Sequence, residues 1–189
     1  ADPIGGDTAA GILGGTVPSG AGILALATAR GVAPLEALDS ASVHLRADGS
    51  ARLVPGVPDA ARAAALSLAW DVVAGERIAL HRGGCDVIVD AGRVGIAERS
   101  WPWLADSDLA LLVVRPTLPS VVAAHRFAAA WPLPEVPLHL LVVEAASPYS
   151  PAEVTKAAGV PLQGVIPWDP ERARVHYDGG GDWYANPSS

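Results

Sequence analysis

Methionine is absent from this sequence of 189 residues, and cysteine and phenylalanine occur only once each. The single cysteine, Cys85, cannot form an internal disulfide, so we expect the protein in a reducing compartment, the cytoplasm. We expect Cys85 itself to be a small buried core residue. Long apolar runs are also absent, which argues against a transmembrane helix. The apolar stretch 21–29 is short and has no basic leader, so no signal peptide is predicted.

Positive charge is scarce as well. The chain has 13 basic against 20 acidic residues, a formal net charge of −7, and Lys156 is its only lysine. This balance disfavours unaided binding to DNA or to anionic lipid, so we expect no direct nucleic-acid partner and no membrane partner. The histidines show no ligand spacing such as HxxxH or HExxH, which makes a zinc site improbable.

What the sequence does contain is typical of a globular α/β domain. Half of the residues are hydrophobic and 17% are charged. Apolar strands separated by helices of about a dozen residues predict βαβ units and a mostly parallel sheet with helices on both faces. The predicted strands are 86–90, 108–114, 137–143 and 162–166, and the predicted helices between them or before them are 58–73, 119–131 and 151–158.

The first third of the chain is less regular. Residues 21–30 have a helix-forming composition, and Pro34 suits the start of a second helix. Short strands over 43–46 and 51–54 around Asp48-Gly49 predict a hairpin. We expect one α/β domain over 1–170, followed by a polar, glycine-rich and flexible tail over 171–189.

The segment Asp86-Val87-Ile88-Val89-Asp90 is the clearest chemical signal. A continuous apolar run predicts a buried parallel strand, which would deliver the carboxylate of Asp90 to the rim of the sheet. In nucleotide-hydrolysing α/β proteins such a carboxylate holds the water shell of Mg²⁺. The simpler alternative is that Asp90 caps the turn that follows it.

Polar and aromatic residues follow the other predicted strands. Ligands of parallel α/β sheets bind beyond the carboxyl ends of the strands, so these residues are candidates for a shared site. The chain itself opens without methionine on Ala-Asp-Pro-Ile-Gly-Gly-Asp, which is typical of a strand end and its loop, and we expect a segment to precede it. The candidates are Asp2, Asp90, Arg115, Thr117, Glu144, Pro167 and Trp168.

Five segments resemble the ParA/MinD-like P-loop ATPases, which carry a deviant Walker A loop, and most closely a divergent actinobacterial branch. They fall in the family's order and spacing over nearly the whole chain up to about residue 170. The segments are ADPIGGD (1–7), CDVIVDAGR (85–93), DLALLVVRPTLPS (108–120), SPYSPAEV (147–154) and GVPLQGVIPWDP (159–170).

The resemblance implies a P-loop NTPase-like three-layer sandwich that dimerises around two ATP molecules with Mg²⁺. Asp2 resembles the acid that orients the attacking water, and Asp90 the acid that holds the Mg²⁺ water shell. Pro167 and Trp168 resemble the loop that lines the adenine pocket. Arg115 and Thr117 lie in the loop beyond the strand next to that of Asp90, and Glu144 stands where the family usually has an asparagine that reads the adenine edge.

The phosphate-binding loop GKGGxGK[ST] is absent from the sequence. A longer parent polypeptide would supply it together with a central strand; otherwise the sheet closes across the gap, or a partner supplies the strand. The resemblance therefore implies an ATPase domain for positioning, partition, or pilus or secretion-machine assembly that is inactive in this form. The alternative is a pseudo-ATPase interaction module that uses the same fold, as a homodimer or with a partner protein, without turnover.

Overall fold

The computed structural model describes residues 11–29, 32–46, 48–57, 81–82, 84–92, 104–105, 107–144 and 147–177. The chain divides into two compact units, of which the first comprises residues 1–103 with 171–189 and the second residues 104–170. The units are called the N-terminal unit and the sheet unit below. A single domain over 1–170 stays a prediction.

Two short helices and a hairpin lie within residues 23–53 of the N-terminal unit. Helix α1 (Ile23–Thr28) is followed by helix α2 (Pro34–Ala41), which has its proline in the first turn, where the fixed φ suits the helix. Strand β1 (Val43–His44) pairs antiparallel with β2 (Arg52–Leu53). The predicted helices and hairpin are confirmed.

Gly22 joins α1 to the rest of the N-terminal unit. Its backbone N–H donates to the carbonyl of Ala41 at 2.7 Å, and the N–H of Ile23 donates to the carbonyl of Pro55 at 2.8 Å. Gly22 has a φ of 106°, and a Cβ there would stand 3.0 Å from the Pro55 carbonyl oxygen. The position therefore favours glycine on both conformational and steric grounds. The core beside it consists of Ile23, Leu26, Ala37, Ala41 and Val57.

Three parallel strands form the sheet of the sheet unit, in the order β3–β4–β5. Their bounds are Ala110–Val114, Leu138–Val143 and Leu162–Ile166, inside or equal to the predicted ranges. A bulge interrupts the pairing of β4 with β5, so that Leu140 pairs with Leu162 but Leu141 pairs with Gly164. After the bulge, residues 141–143 of β4 pair with residues 164–166 of β5.

The two faces of this sheet differ in burial. Alternate residues of β3 are buried, because successive side chains of a strand point to opposite faces. The core beneath one face includes Leu112 and Val114 of β3 with Leu140 and Val142 of β4, the last two fully buried. On the other face Leu111 and Val113 remain 45% and 59% exposed. The apolar strands therefore bury one face within their own unit.

Two helices cover the buried face. Helix α3 (Leu118–Ala129) connects β3 to β4 and contributes Val121 and Ala124, and helix α4 (Pro151–Ala158) connects β4 to β5 and contributes Val154 and Ala158. This architecture confirms the predicted α/β class, a parallel sheet with flanking helices.

Helix α4 has well-defined ends. Ser150 Oγ accepts from the N–H of Glu153 at 3.3 Å, and Glu153 Oε2 accepts from the N–H of Ser150 at 2.8 Å, which completes a capping box. Gly159 ends the helix in the left-handed conformation with a φ of 73°. These two caps explain why the predicted bounds of this helix match the observed ones.

The prediction of a buried strand over 86–90 is wrong. These residues form no strand, and Val87 and Ile88 are 42% and 90% exposed. An apolar run predicts burial only where a neighbouring strand supplies backbone partners, and no strand in the described residues pairs with this segment. Val89 alone packs against the core of the N-terminal unit. Cys85 is also exposed, which corrects the expectation that it is a core residue.

The beginning of the predicted tail is helical. Helix α5 (Pro170–Tyr177) starts at a proline and has Glu171 in its first turn, a favourable arrangement for a helix N-terminus. The predicted helix over 58–73 lies outside the described residues, as does Asp2.

Candidate functional site

The candidate site lies at the carboxyl ends of β3, β4 and β5. Arg115 follows β3, Glu144 follows β4, and Pro167 and Trp168 follow β5. Because the three strands are parallel and adjacent, these residues leave the sheet at the same edge. This edge is called the carboxyl edge below.

Arg115 and Trp168 lie next to each other. The guanidinium carbon of Arg115 lies over the indole ring of Trp168, 5.5 Å from its centroid. This is a cation–π arrangement, in which the positive charge is attracted by the negative face of the ring. The contact spans β4, which lies between the strands that precede the two residues. Two residues predicted separately as nucleotide contacts are therefore brought together.

The contact leaves much of both groups available. Trp168 keeps 52% of its surface exposed. The guanidinium carbon is 5.5 Å from the ring centroid, whereas carbon atoms in van der Waals contact are roughly 3.5–4.0 Å apart. The guanidinium is therefore not stacked tightly on the centre of the ring. Within the described part of the chain, the guanidinium of Arg115 makes no hydrogen bond or ion pair.

Glu144 continues the pairing of β4 with β5. Its backbone N–H donates to the carbonyl of Ile166 at 2.8 Å, which places Glu144 beside the backbone that leads into Pro167 and Trp168. The residue is exposed, and its carboxylate makes no hydrogen bond or ion pair in the part of the chain that the structure describes. The carboxyl edge thus carries an acceptor-only group and a donor-only group without polar partners among those residues.

The loops after β3 and β4 are held to each other. Ser147 Oγ donates a short hydrogen bond to the carbonyl of Pro116, and the N–H of Tyr149 donates to Ser147 Oγ at 3.2 Å. The N–H of Thr117 donates to the carbonyl of Arg115 at 2.8 Å, which makes a tight turn. Sequence reasoning did not assign Ser147 a role, and no local pattern relates it to Pro116.

Thr117 serves the start of helix α3. It is the N-cap residue, and its hydroxyl donates to Ser120 Oγ at 3.1 Å rather than accepting from the first helical turn. Its predicted contact with a nucleotide stays a prediction. Its position two residues from Arg115 keeps it at the carboxyl edge.

Asp90 belongs to the N-terminal unit. Its Oδ1 accepts a hydrogen bond from the N–H of Gly92 at 2.9 Å, and Gly92 has a φ of 78°. This is the turn-capping alternative that the sequence left open, and the contact with hydrated Mg²⁺ stays a prediction. In the described residues no group of three His, Cys, Asp or Glu side chains is arranged to hold a metal ion directly.

None of the described helices combines the length and apolar character needed to cross a bilayer.

Comparison with known proteins gives one informative likeness. No protein-family model matches the sequence, and no curated protein matches it. Among solved structures, a ParA family ATPase from Chlorobium tepidum TLS superposes with a TM-score of 0.65 and 19% sequence identity. The likeness covers 93% of this chain and 72% of the other chain. At this identity the comparison shows the fold: the chain has a ParA-like α/β fold.

Proposed function

We propose that this chain is a ParA/MinD-like nucleotide-binding module whose carboxyl edge holds the base of a purine nucleotide. The observation that carries the proposal is the Arg115–Trp168 contact, an exposed aromatic face and a cation at the edge where parallel α/β sheets bind ligands. The ParA-like fold supports it independently. Aromatic side chains with exposed faces stack on any nucleotide base, because every base has a π-face.

In the complete form of the family that the sequence resembles, the nucleotide is ATP with Mg²⁺. Asp90 then holds waters of the metal ion, and Asp2 orients the attacking water. Pro167 and Trp168 line the base pocket, and Arg115 and Thr117 contact the nucleotide from the loop after β3. Hydrolysis times the positioning or assembly of a larger machine, and the protein acts in the cytoplasm as a homodimer or with a partner protein.

These 189 residues alone bind nucleotide weakly and do not turn it over, because the sequence contains no GKGGxGK[ST] loop. That loop surrounds the phosphates with backbone N–H groups and a lysine, which supply most of the affinity for the triphosphate. The same observation favours a second candidate, a pseudo-ATPase interaction module. Phosphate release separates the two candidates only when a polypeptide that includes a phosphate-binding loop is assayed with ATP and Mg²⁺, because these 189 residues release none under either candidate.

The binding site itself is tested by titrating ATP·Mg²⁺ into the ¹⁵N-labelled chain and following the indole N–H signals. We expect the Trp168 signal, identified by its loss in Trp168→Phe, to shift with a dissociation constant weaker than micromolar. Trp131 is the internal control, because its indole donates to the carbonyl of Val136 at 3.0 Å, before the start of β4. A Trp168 signal that stays still at saturating ATP contradicts the site, and micromolar affinity contradicts the weak-binding prediction.

A further inference from the structure

The loop that carries Arg115 is a tight turn. The N–H of Thr117 donates to the carbonyl of Arg115, two residues earlier, at 2.8 Å, which makes a γ-turn centred on Pro116. Proline suits the centre of an inverse γ-turn, because its ring fixes φ near the value that this turn requires. Since proline has no backbone N–H, a hydrogen bond can hold Pro116 only through its carbonyl.

Ser147 holds that carbonyl from the loop after β4. Its hydroxyl donates to the carbonyl of Pro116 and accepts from the N–H of Tyr149 at 3.2 Å. The only donor of the serine side chain is therefore engaged, and the bond from Tyr149 helps to orient it. Ser147 is half-buried, so water has limited access to compete for the Pro116 carbonyl.

Both sides of this hydrogen bond are attached to regular structure. Ser147 lies three residues before Ser150, whose capping box fixes the start of helix α4. Thr117, at the end of the turn, is the N-cap residue of helix α3. The bond from Ser147 to Pro116 therefore joins the two loops at points that the helices already restrain.

The position of Arg115 depends on the turn. Its guanidinium lies 5.5 Å from the ring centroid of Trp168 and makes no hydrogen bond or ion pair among the described residues. A cation–π attraction at an exposed site is weak, and Trp168 is 52% exposed. That attraction alone cannot fix the backbone from which Arg115 extends, whereas a held Pro116 carbonyl can.

We propose that Ser147 is a positioning residue of the carboxyl edge: its hydroxyl holds the Pro116 carbonyl and thereby sets the turn from which Arg115 reaches over Trp168. Its effect on nucleotide binding rests on the proposed function, that this edge holds a purine nucleotide. When the turn is released, Arg115 stands beside the base site for only part of the time, and the apparent affinity falls by that fraction.

NMR of the full ¹³C,¹⁵N-labelled chain tests the positioning without nucleotide. The ring current of the indole displaces the side-chain proton signals of Arg115, and Trp168→Leu gives their undisplaced positions. Ser147→Ala should lose most of the displacement, whereas Ser147→Thr, which keeps a hydroxyl, should retain it. Ser147→Val, which has the shape of threonine without the hydroxyl, should behave like Ser147→Ala.

Ser150→Ala is the matched control. It removes a hydroxyl of the same loop that bonds to Glu153, so the displacement of the Arg115 signals should persist. The indole N–H signal of Trp131 reports whether each variant is folded, because this group donates to the carbonyl of Val136 at 3.0 Å. An unchanged displacement in Ser147→Ala, or its loss in Ser147→Thr, overturns the inference.

Titration with ATP·Mg²⁺ separates the inference from the proposed function. Followed by the Trp168 indole signal, Ser147→Ala should bind about fivefold more weakly than Ser147→Thr, the factor that one hydrogen bond is typically worth. Equal affinities overturn the role of Ser147 at the nucleotide site while the site stands. If ATP shifts the Trp168 signal in no variant and not in the parent chain, the proposed function fails, whereas loss of the Arg115 displacement in Ser147→Ala still supports the positioning.

Discussion

Adjacent leucines of β3 provide the sharpest test of the sheet. Leu111 and Leu112 have the same side chain in the same strand, but their exposures are 45% and 7%. Leu112 packs in the core under helices α3 and α4. Truncation of each leucine to alanine therefore compares the two faces of the sheet, because the side chain removed is the same and its position in the strand is nearly the same.

The structure predicts different losses in the free energy of unfolding for the two variants. Leu112→Ala removes buried methyl groups and leaves a cavity, which costs about 2–5 kcal/mol in the free energy of unfolding. Full burial of a leucine side chain is worth about 1.5–3 kcal/mol. Leu111 is already about half exposed, so Leu111→Ala should cost only about 1 kcal/mol, with no cavity contribution.

Equilibrium urea unfolding of the full chain, followed by far-UV circular dichroism, measures both losses. We expect the unfolding midpoint of Leu112→Ala to fall well below that of Leu111→Ala, with unchanged slopes. Equal losses would refute the assignment of faces. A one-residue change in register moves every side chain of a strand to the opposite face, so the comparison reports on register as well.

Two further predictions concern local structure. Ser150→Ala should destabilise the chain by about 1 kcal/mol through loss of the N-cap, measured by urea unfolding at neutral pH. Separately, the hydrogen bonds from Ser150 lower the pKa of Glu153 below its usual 4.5. The stability contributed by the ionised Glu153 carboxylate should therefore be complete above that pH and be lost as the pH falls through the lowered pKa. Glu153→Gln should remove that pH dependence, and an unchanged profile would contradict the capping box. Gly22→Ala should lower the melting temperature more than Gly49→Ala, because both have positive φ but only Gly22 faces a backbone oxygen at 3.0 Å; equal shifts would show that the Pro55 carbonyl is not a constraint.

Much of the fold was predictable because its signals are local. Helix α4 carries its start and stop in Ser150, Glu153 and Gly159, and its predicted and observed bounds agree. The strands β4 and β5 are short apolar runs that end at polar or proline residues, and their bounds differ from prediction by one residue at most. Capping hydrogen bonds and apolar runs involve residues a few positions apart, which a sequence displays directly.

The segment 86–90 shows where this reasoning fails. Its apolar composition matches that of β4, yet Ile88 is 90% exposed and the segment forms no strand. Composition indicates that a segment is suited to burial, but a parallel strand also needs a neighbour for its backbone groups. Whether that neighbour exists is a property of the whole chain, not of the segment.

The candidate site likewise combines features that the sequence predicts with contacts that only the tertiary structure creates. The sequence by itself determined that Arg115, Glu144 and Trp168 follow strands of one parallel sheet, and hence that they share its carboxyl edge. Only the tertiary structure decided that Arg115 lies over Trp168 and that Ser147 holds the loop of Pro116. The bulge in β5 sets which residue stands opposite Glu144, and a sequence contains no local signal for such a register. Contacts between distant segments depend on strand order and register, which arise only when the whole sheet assembles.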